Sequence, residues 1–367
     1  MTAATGLVTR PAQPEPVLAK LGPELAAHEP PEVRGNGRDD VRLLVSRSAA
    51  AEIRQYAFAD LPDLLLPGDL VVVNNSATLP AAVAVSPHLT VHFSTAMPAG
   101  DWLVELRSGS GQATVPLYGA TEVLASARQG LELPGGAVLT LIARFSQRLW
   151  RARLSTAVIP YLYRYGQPIR YSYVPRPWPI EAYQTVFATN PGSAEMPSAA
   201  RPFTPELVTS LVSRGINVAP VTLHTGVSSL EGGEDPYPES YDVPAATARM
   251  VNLTRRSGGR VIAIGTTVVR ALESAALESA TPQGATPQVI APPRLGASAG
   301  WTAHVVTRQS GVSVVDGLLT GLHEPKSTHL WMLAAFAGDE LLRRCYAVAT
   351  AGGYRWHEFG DVHLLLP

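Results

Sequence analysis

The spacing of hydrophobic and polar positions changes twice along this chain of 367 residues. From residue 41 the segments RLLVSR and AEIRQYAF indicate two short strands, and LPDLLLPGDLVVVNN indicates a short helix or turn that leads into a buried strand. Between residues 83 and 155 short alternating segments recur about every ten residues, which is typical of a small antiparallel barrel or sandwich. After about residue 215 apolar strands alternate with helical patterns, and this alternation predicts a mostly parallel sheet covered on both faces.

The predicted fold is therefore an α/β main domain with an inserted small antiparallel β-barrel domain. We expect residues 1–69 and 158–367 to form the discontinuous α/β domain, and residues 70–157 to form a closed barrel between its two parts. Residues 1–37 and 280–300 are rich in Pro, Ala and Gly, so we expect loops there.

Composition narrows the class of protein. Hydrophobic residues make up 46% of the chain and charged residues 16%, which argues against intrinsic disorder. The net charge is −1, so a nucleic-acid partner has to meet a local patch on the surface. A single cysteine, no apolar run long enough to span a membrane and no tight metal-ligand pair predict a cytoplasmic protein without a disulfide scaffold or a structural metal. We expect it to be a monomer.

The strongest local signal is GRVIAIGTTVVRALESAA at residues 259–276. A buried strand ends at Gly265, and Thr266 and Thr267 then open a helix whose N–H groups can bind an anion or a ligand carboxylate. Ligands in open α/β sheets bind at this carboxyl edge of the strands. Arg270 and Glu273 lie three residues apart on one helix face, and an ordinary helical ion pair is the simplest interpretation of these two residues alone.

Two further segments carry titratable side chains. In VVDGLLTGLHEPKSTHLWML, we expect Asp316 to follow an apolar strand, and His323, Lys326 and Ser327 to lie in a turn before a helix. This turn could bind a polyanion or move protons, or it could be a capped helix start with solvated charges. His224 lies where another apolar strand meets a loop, a position at which a structural histidine is the more common case. Since parallel strands bring their ends to one edge, we predict one cleft lined by His224, Gly265, Thr266, Thr267, Arg270, Asp316, His323 and Lys326.

Several common site motifs are absent from the sequence. The chain has no G-x-x-x-x-G-K-[ST], no G-x-S-x-G, no G-x-G-x-x-G and no cysteine in a nucleophile motif. Their absence excludes P-loop, α/β-hydrolase, dinucleotide-dependent and papain-like chemistry.

The two long segments above, together with LPDLLLPGDLVVVNNS, AYQTVFA followed by FTPEL, and the closing YRWHEFGD, resemble the S-adenosylmethionine:tRNA ribosyltransferase-isomerase family of queuosine biosynthesis. The resemblance runs from about residue 38 to the C-terminus. It implies an α/β domain that carries an inserted six-stranded barrel. It also implies that the ribosyl part of S-adenosylmethionine moves onto 7-aminomethyl-7-deazaguanine in the wobble position of tRNA, forming epoxyqueuosine while adenine and methionine leave. S-adenosylmethionine and tRNA are then the partners, with no permanently bound cofactor.

The chain departs from the family pattern at residues that carry charge. Where the family has N-D-T-R-V-I-P-A-R, this chain has NNSATLPAA at residues 74–82, without the acid and the two arginines. Pro202 stands where the family has a histidine, and DPYPE at residues 235–239 replaces H-M-H-S-E. Alanine and proline cannot replace arginine and imidazole in phosphate contacts or proton transfer. We therefore expect binding of the adenosyl ligand to outlast transfer to tRNA, unless Arg201 compensates.

The resemblance assigns roles to the remaining residues. His224, Asp316 and His323 are the candidates for the base beside the sulfonium and for the group that helps adenine leave. The binding candidates are Gly265, Thr266, Thr267, Arg270, Glu273, Lys326 and Ser327. Two alternatives stay open: a catalytically weakened paralogue that binds a nucleoside or RNA, and a paralogue that uses the same donor with a small-molecule acceptor.

Overall fold

The computed structural model describes residues 22–35, 37–109, 114–117, 127–227, 237–280, 294–324 and 327–367. The predictions made for residues 1–21, for most of the 280–300 loop and for Lys326 lie outside these ranges. Within the described ranges, no helix combines the length and the apolar character that crossing a membrane requires.

The described elements follow one another along the chain as strands, α-helices and short 3-10 helices. The strands are β1 (Arg42–Arg47), β2 (Glu52–Ala57), β3 (Leu70–Asn74), β4 (Ser76–Thr78), β5 (Ala82–Ser86), β6 (Leu89–Ala96), β7 (Trp102–Ser108), β8 (Val115–Pro116), β9 (Leu131–Leu133), β10 (Ala137–Arg144), β11 (Leu149–Leu154), β12 (Asn190–Ser193), β13 (Asn217–Leu223), β14 (Glu239–Val243), β15 (Val261–Ile264), β16 (Ser298–Thr302), β17 (Gly317–Gly321) and β18 (Val362–Leu366). The α-helices with both ends in the described ranges are α1 (Leu61–Leu64), α2 (Val158–Tyr165), α3 (Pro205–Ser213), α4 (Ala245–Arg256), α5 (Thr266–Ala280) and α6 (His329–Ala351).

The larger sheet has nine strands in the order β16-β14-β13-β3-β15-β17-β18-β1-β2. Its four central strands, β13, β3, β15 and β17, run parallel to one another. The flanks contain antiparallel pairs: β14 runs antiparallel to β13, β18 to β17, and β2 to β1. The prediction of a mostly parallel sheet is therefore correct for the four central strands and for the β18–β1 pair. β1 and β2 are joined by a tight turn, and a turn that short permits only antiparallel pairing.

Two cores cover the faces of this sheet. β3 and β15 are buried along their whole length, which confirms the buried strands predicted from LVVVN and VIAI. Successive side chains point to opposite faces. Leu70 and Val72 join the core beneath α4, α5 and α6, whereas Val71 and Val73 join the core beneath α1 and α3.

The smaller sheet is antiparallel, in the order β5-β6-β7-β11-β10-β9, with β8 paired to β7. Its end strands β5 and β9 approach each other without pairing in the described residues, so the barrel is nearly closed. Its core includes Val91, Phe93, Trp102 and Leu139. An antiparallel, barrel-like sheet is present as expected, but its end strands do not pair to close it among the described residues. β4 pairs with β12 and β3 belongs to the larger sheet, so neither is part of the barrel-like sheet. A continuous apolar strand fits either sheet, so the pattern alone could not assign it.

Candidate active site at the carboxyl edge of the parallel strands

Asn74 ties together the strand ends that form one edge of the larger sheet. This fully buried side chain donates from Nδ2 to the Leu223 carbonyl (2.8 Å) and to Thr267 Oγ1 (3.3 Å). Its Oδ1 accepts from the backbone N–H groups of Leu223 and Ser76, both at 3.0 Å. One amide therefore fixes the end of β3, the end of β13 and the first turn of α5.

His224 follows β13 at this edge. Its Nδ1 lies 2.7 Å from Ser76 Oγ, and that hydroxyl lies 2.6 Å from Ser193 Oγ. Gly192 lies against the ring, since a Cβ on it would come within 2.4 Å of Nδ1. Burial lowers the pKa of His224 below its ordinary value. The ring is thus a neutral imidazole in a fixed orientation, which suits a base at neutral pH.

Gly265 forms the turn from β15 into α5. Its φ is 98°, in the region that favours glycine, and its N–H donates to the Leu319 carbonyl (2.8 Å). The turn directs the first N–H groups of α5, at Thr266 and Thr267, toward the carboxyl edge. The structure places this predicted binding segment beside Asn74.

Replacing Gly265 with alanine is expected to lower the free energy of unfolding by about 1–3 kcal/mol, because a side chain strains the backbone at this φ. The space itself would accept a Cβ, with Thr267 Oγ1 at 3.4 Å and Ala199 Cβ at 3.5 Å. Urea unfolding measures the loss. Gly300→Ala is the control, since nothing lies within 4 Å of its Cβ position. Equal stability of the two variants would contradict the prediction.

Arg270 connects four segments at the same edge. Its guanidinium forms an ion pair with Glu239 and donates to the carbonyls of Thr302 and His304, both at 3.2 Å. Glu239 Oε1 in turn accepts from the N–H of Gly226 at 3.1 Å, two residues after His224. The predicted Arg270–Glu273 ion pair is therefore wrong, and the partner of Arg270 is Glu239.

Glu273 and Asp316 have structural roles in this fold. The buried carboxylate of Glu273 accepts from Ser313 Oγ (2.5 Å) and from the backbone N–H groups of Ser313 (2.9 Å), Val314 (3.0 Å) and Val315 (3.2 Å). Because these bonds occupy both of its oxygens, Glu273 stabilises the fold and is not among the proposed binding residues.

Asp316 lies at the opposite edge of the sheet. It precedes β17, and its Oδ2 accepts from the N–H of Val261 (2.8 Å) at the start of β15. The prediction that Asp316 follows a strand is wrong, because the paired strand is the apolar run after it, GLLTG. Asp316 is therefore not part of the predicted shared cleft.

His323 follows β17 on the same edge as His224. Its Nε2 lies 2.8 Å from Thr320 Oγ1, and its N–H donates to the Tyr346 hydroxyl (3.2 Å). The ring stacks on His329, with centroids 4.4 Å apart and planes at 9°. Burial, followed by the nearby His329, keeps the pKa of His323 well below its ordinary value. Ser327 lies within 2.7 Å of His329 Nδ1 and accepts from the His329 N–H (3.3 Å), so it positions this second ring.

Tyrosines and glutamates that the sequence did not single out form a wall at this edge. Tyr171 donates to Glu195, and Tyr173 donates to Glu358 Oε2 at 3.0 Å. The two phenol rings stack with centroids 5.7 Å apart, and Tyr173 also stacks on His357 at 3.9 Å. The wall therefore connects two carboxyl groups that are far apart in the sequence.

Both ends of the wall meet the predicted site residues. The Glu195 carbonyl accepts from Thr225 Oγ1 (2.6 Å), directly after His224. At the other end, Glu358 lies in the loop before β18, whose first residue Val362 pairs with Gly321 at the end of β17. The wall thus runs along the carboxyl edge from His224 to the neighbourhood of His323.

Glu358 holds a proton at neutral pH. Burial and the charge of Glu195 raise its pKa to about 8, and the hydrogen bond from Tyr173 opposes part of this rise. Its Oε1 is out of reach of solvent and has no hydrogen-bond partner among the described residues. A neutral carboxylic acid at this edge of the sheet is a candidate proton donor. The signal available in the sequence was the motif YRWHEFGD itself, which contains this residue.

Glu358 also makes stability depend on pH. Its pKa rises from 4.5 to about 8 on folding, so the folded protein binds the proton more tightly, and this contribution falls as pH rises through that interval. We expect the urea midpoint of the wild type to fall relative to that of Glu358→Gln between about pH 5 and pH 8. A constant difference between the two proteins over this range would contradict the raised pKa. The buried histidines titrate equally in both proteins and cancel in the comparison.

Arg201 does not stand in for the missing histidine. Its guanidinium is buried, donates from Nε to the Ala182 carbonyl (2.9 Å) and binds both carboxylate oxygens of Glu32 at 3.0 and 2.9 Å. Phe359 lies beneath it, 5.0 Å from the guanidinium carbon to the ring centroid. These contacts hold Arg201 in a structural role.

The structure thus brings His224, Gly265, Thr266, Thr267, Arg270, His323 and Ser327 to one edge of the sheet. Asp316 and Glu273 lie elsewhere, and Lys326 is outside the described residues. Among the described residues, no three His, Cys, Asp or Glu side chains are grouped so that they could hold a metal ion.

Comparison with known proteins gives a match over nearly the whole chain. The family described as "Queuosine biosynthesis protein" matches residues 19–365. The S-adenosylmethionine:tRNA ribosyltransferase-isomerase of Acidiphilium cryptum is 33% identical over 94% of this chain and 96% of its own length. The protein of the same name from Moorella thermoacetica is 32% identical over 95% and 98%.

A solved structure with a similar fold carries a similar name to these relatives. The crystal structure of the S-adenosylmethionine tRNA ribosyltransferase of Thermotoga maritima covers 96% of this chain and 100% of its own, with 25% identity and a TM-score of 0.52. The mixed α/β fold with its antiparallel, barrel-like sheet is consistent with that structure. The family match spans both sheets and every strand end that builds the site, and the chain therefore belongs to the queuosine biosynthesis protein family.

Proposed function

We propose that this protein is an S-adenosylmethionine:tRNA ribosyltransferase-isomerase. It transfers and isomerises the ribosyl part of S-adenosylmethionine onto 7-aminomethyl-7-deazaguanine in tRNA, with adenine and methionine as leaving groups. The observation that carries this proposal is the nearly full-length similarity to relatives of that name. The convergence of the retained motif residues on one edge of the sheet supports it.

The site offers a base and an acid with complementary protonation. We assign to His224 the removal of the proton beside the sulfonium, because its ring is neutral and is held by Ser76. We assign to Glu358 the protonation of the departing adenine, because its carboxyl group retains a proton at neutral pH. The Gly265 turn and the start of α5 lie between these groups along the sheet and would hold the polar end of the donor.

The proposed acid lies in YRWHEFGD, a segment that keeps the family pattern, whereas other motifs depart from it. The chain lacks motif acid, arginine and histidine residues, which favours the alternative of a weakened binding paralogue. Glu358 and the tyrosine wall supply a protonated carboxyl group at the same edge from another segment. On this basis we favour the enzyme over the non-catalytic alternative.

We also propose that the barrel is a separate domain inserted into the α/β domain. β3 precedes the barrel in sequence and β13 follows it, yet the two strands are neighbours in the larger sheet. The insertion then begins after β4, later than the sequence indicated. A tRNA acceptor implies a cytoplasmic reaction, and the monomeric state and the lack of a permanent cofactor stay predictions.

Release of free adenine separates the proposed function from its alternatives. The purified protein is incubated with S-adenosylmethionine, with and without tRNA that carries the deazaguanine precursor. We expect adenine to appear only with the precursor tRNA. Binding of S-adenosylmethionine without any release would identify a binding paralogue, and release that is indifferent to tRNA would point to a small-molecule acceptor.

A further inference from the structure

A second cleft, of about 640 Å³, lies between the barrel and the segment 163–183. One wall is formed by β5 and β6, including Ala82, Ala84 and His92, and the other by Tyr163 and Trp178. Burial, together with the charges of two barrel arginines, lowers the pKa of His92 to about 3, so this imidazole is neutral. The barrel wall of the cleft is therefore neutral and combines apolar and hydrogen-bonding groups.

The strand β4 connects this cleft to the proposed active site. Ser76, its first residue, contacts His224, whereas Thr78, its last, donates from Oγ1 to the Tyr183 carbonyl at 2.7 Å. Pro80, four residues after Ser76, lines the cleft. At about 3.3 Å per residue of extended chain, the backbones of Ser76 and Pro80 are no more than ~13 Å apart.

The side of the cleft that carries Tyr163 and Trp178 contains buried polar atoms without a hydrogen-bond partner among the described residues. Trp178 Nε1 and the Tyr183 hydroxyl are buried and have no hydrogen-bond partner among the described residues. Tyr183 is 4% exposed, so solvent does not satisfy its hydroxyl. Buried polar groups are nearly always paired, so unpaired ones in a cleft wall point to a ligand with donors and acceptors.

The segment that carries Tyr163 and Trp178 is basic, although the chain as a whole is not, and its Arg170 lines the cleft. Segment 163–183 contains three arginines against one glutamate, interleaved with six tyrosine and tryptophan rings. Arg176 lies over the Trp178 ring, with its guanidinium carbon 4.1 Å from the centroid. Arg170 lines the cleft and donates to the Pro175 carbonyl at 3.0 Å. Arginines interleaved with aromatic rings are typical of surfaces that bind unpaired nucleotides.

We propose that this cleft binds one unpaired nucleotide of the acceptor RNA, next to the nucleotide that is modified. Its base stacks on Tyr163 and Trp178, and Arg170 contacts its phosphate. The inference rests on the proposed function, since it identifies where the tRNA acceptor is held. The arginines of segment 163–183 also form the local basic patch that a nucleic-acid partner requires on a chain of net charge −1.

The test measures binding of a fluorescein-labelled RNA hairpin, with the sequence of the anticodon stem and loop, by anisotropy over a range of salt concentrations. Tyr163→Ala removes a side chain that is 50% exposed, and we expect the Kd for RNA to rise by about 5- to 150-fold through lost stacking. Arg170→Ala should reduce the slope of log Kd against log salt by about 0.7, the loss of one phosphate contact to a single strand. Neither variant should change the affinity for S-adenosylmethionine.

Two exposed residues on other elements serve as matched controls. Trp301→Ala on β16 and Arg249→Ala on α4 should bind the RNA as the wild type does. Wild-type affinity and salt slope in both cleft variants, or no RNA binding by the wild type, would overturn the inference. Adenine release by the wild type in that case would leave the proposed function standing. RNA binding that the cleft variants lose, without any adenine release, would support the cleft and contradict the proposed function.

Discussion

Replacing Glu358 with glutamine is expected to lower the rate of tRNA-dependent adenine release by about 10²–10⁴-fold and to leave the affinity for S-adenosylmethionine unchanged. Glutamine keeps the shape of the side chain and an oxygen that accepts from Tyr173, but it cannot give up a proton. In the wild type the rate should fall as pH rises above about 8, where Glu358 loses its proton. Single-turnover assays across pH measure both effects.

Tyr173→Phe is the control that separates proton donation from packing. It preserves the ring that stacks on Tyr171 and His357 and removes only the hydroxyl that bonds Glu358. Because that hydrogen bond lowers the pKa of Glu358, its loss should move the descending limb of the pH profile to higher pH while activity persists. A wild-type rate in Glu358→Gln, or a pH limb that does not move in Tyr173→Phe, would remove Glu358 from the mechanism.

Replacing His224 with alanine is expected to reduce the rate constant for adenine release by about 10²–10⁴-fold, because the base beside the sulfonium is lost. The lowered pKa of His224 places the ascending limb of the wild-type profile below about pH 6.5, since the ring must be unprotonated to accept a proton. Rates measured from pH 8 down to well below pH 6.5 would show this limb, and the alanine variant should lack it. His88→Ala removes an exposed histidine from the turn between β5 and β6 and should behave as the wild type.

Imidazole in solution provides a further check on His224. If the ring acts as a base, added imidazole should restore part of the rate in His224→Ala. Should the variant retain the wild-type rate and pH profile, the interpretation of His224 as a structural histidine held by Ser76 would be correct.

Hydrophobic pattern alone determined the parts of the fold in which each strand or helix has one strong period. The uninterrupted apolar runs of β3 and β15 predicted strands that are buried on both faces, and the short alternating segments after residue 83 predicted antiparallel pairing. The predicted binding turn at Gly265 follows from the same pattern, because a glycine and two threonines between a buried strand and an amphipathic helix specify the local geometry.

Tertiary structure alone decided the partners and the protonation of the site. Asp316 lies between two short apolar runs in the sequence. Only the pairing of the second run with β15 shows that this run is the strand, and it places the Asp316 carboxylate at the start of the strand. Arg270 pairs with Glu239, 31 residues away, rather than with a neighbour on its own helix. The pKa of Glu358 depends on burial and on Glu195 and Tyr173, which come from distant segments. Periodicity reports which face of an element is buried, whereas charges and hydrogen bonds between distant segments exist only after the chain has folded.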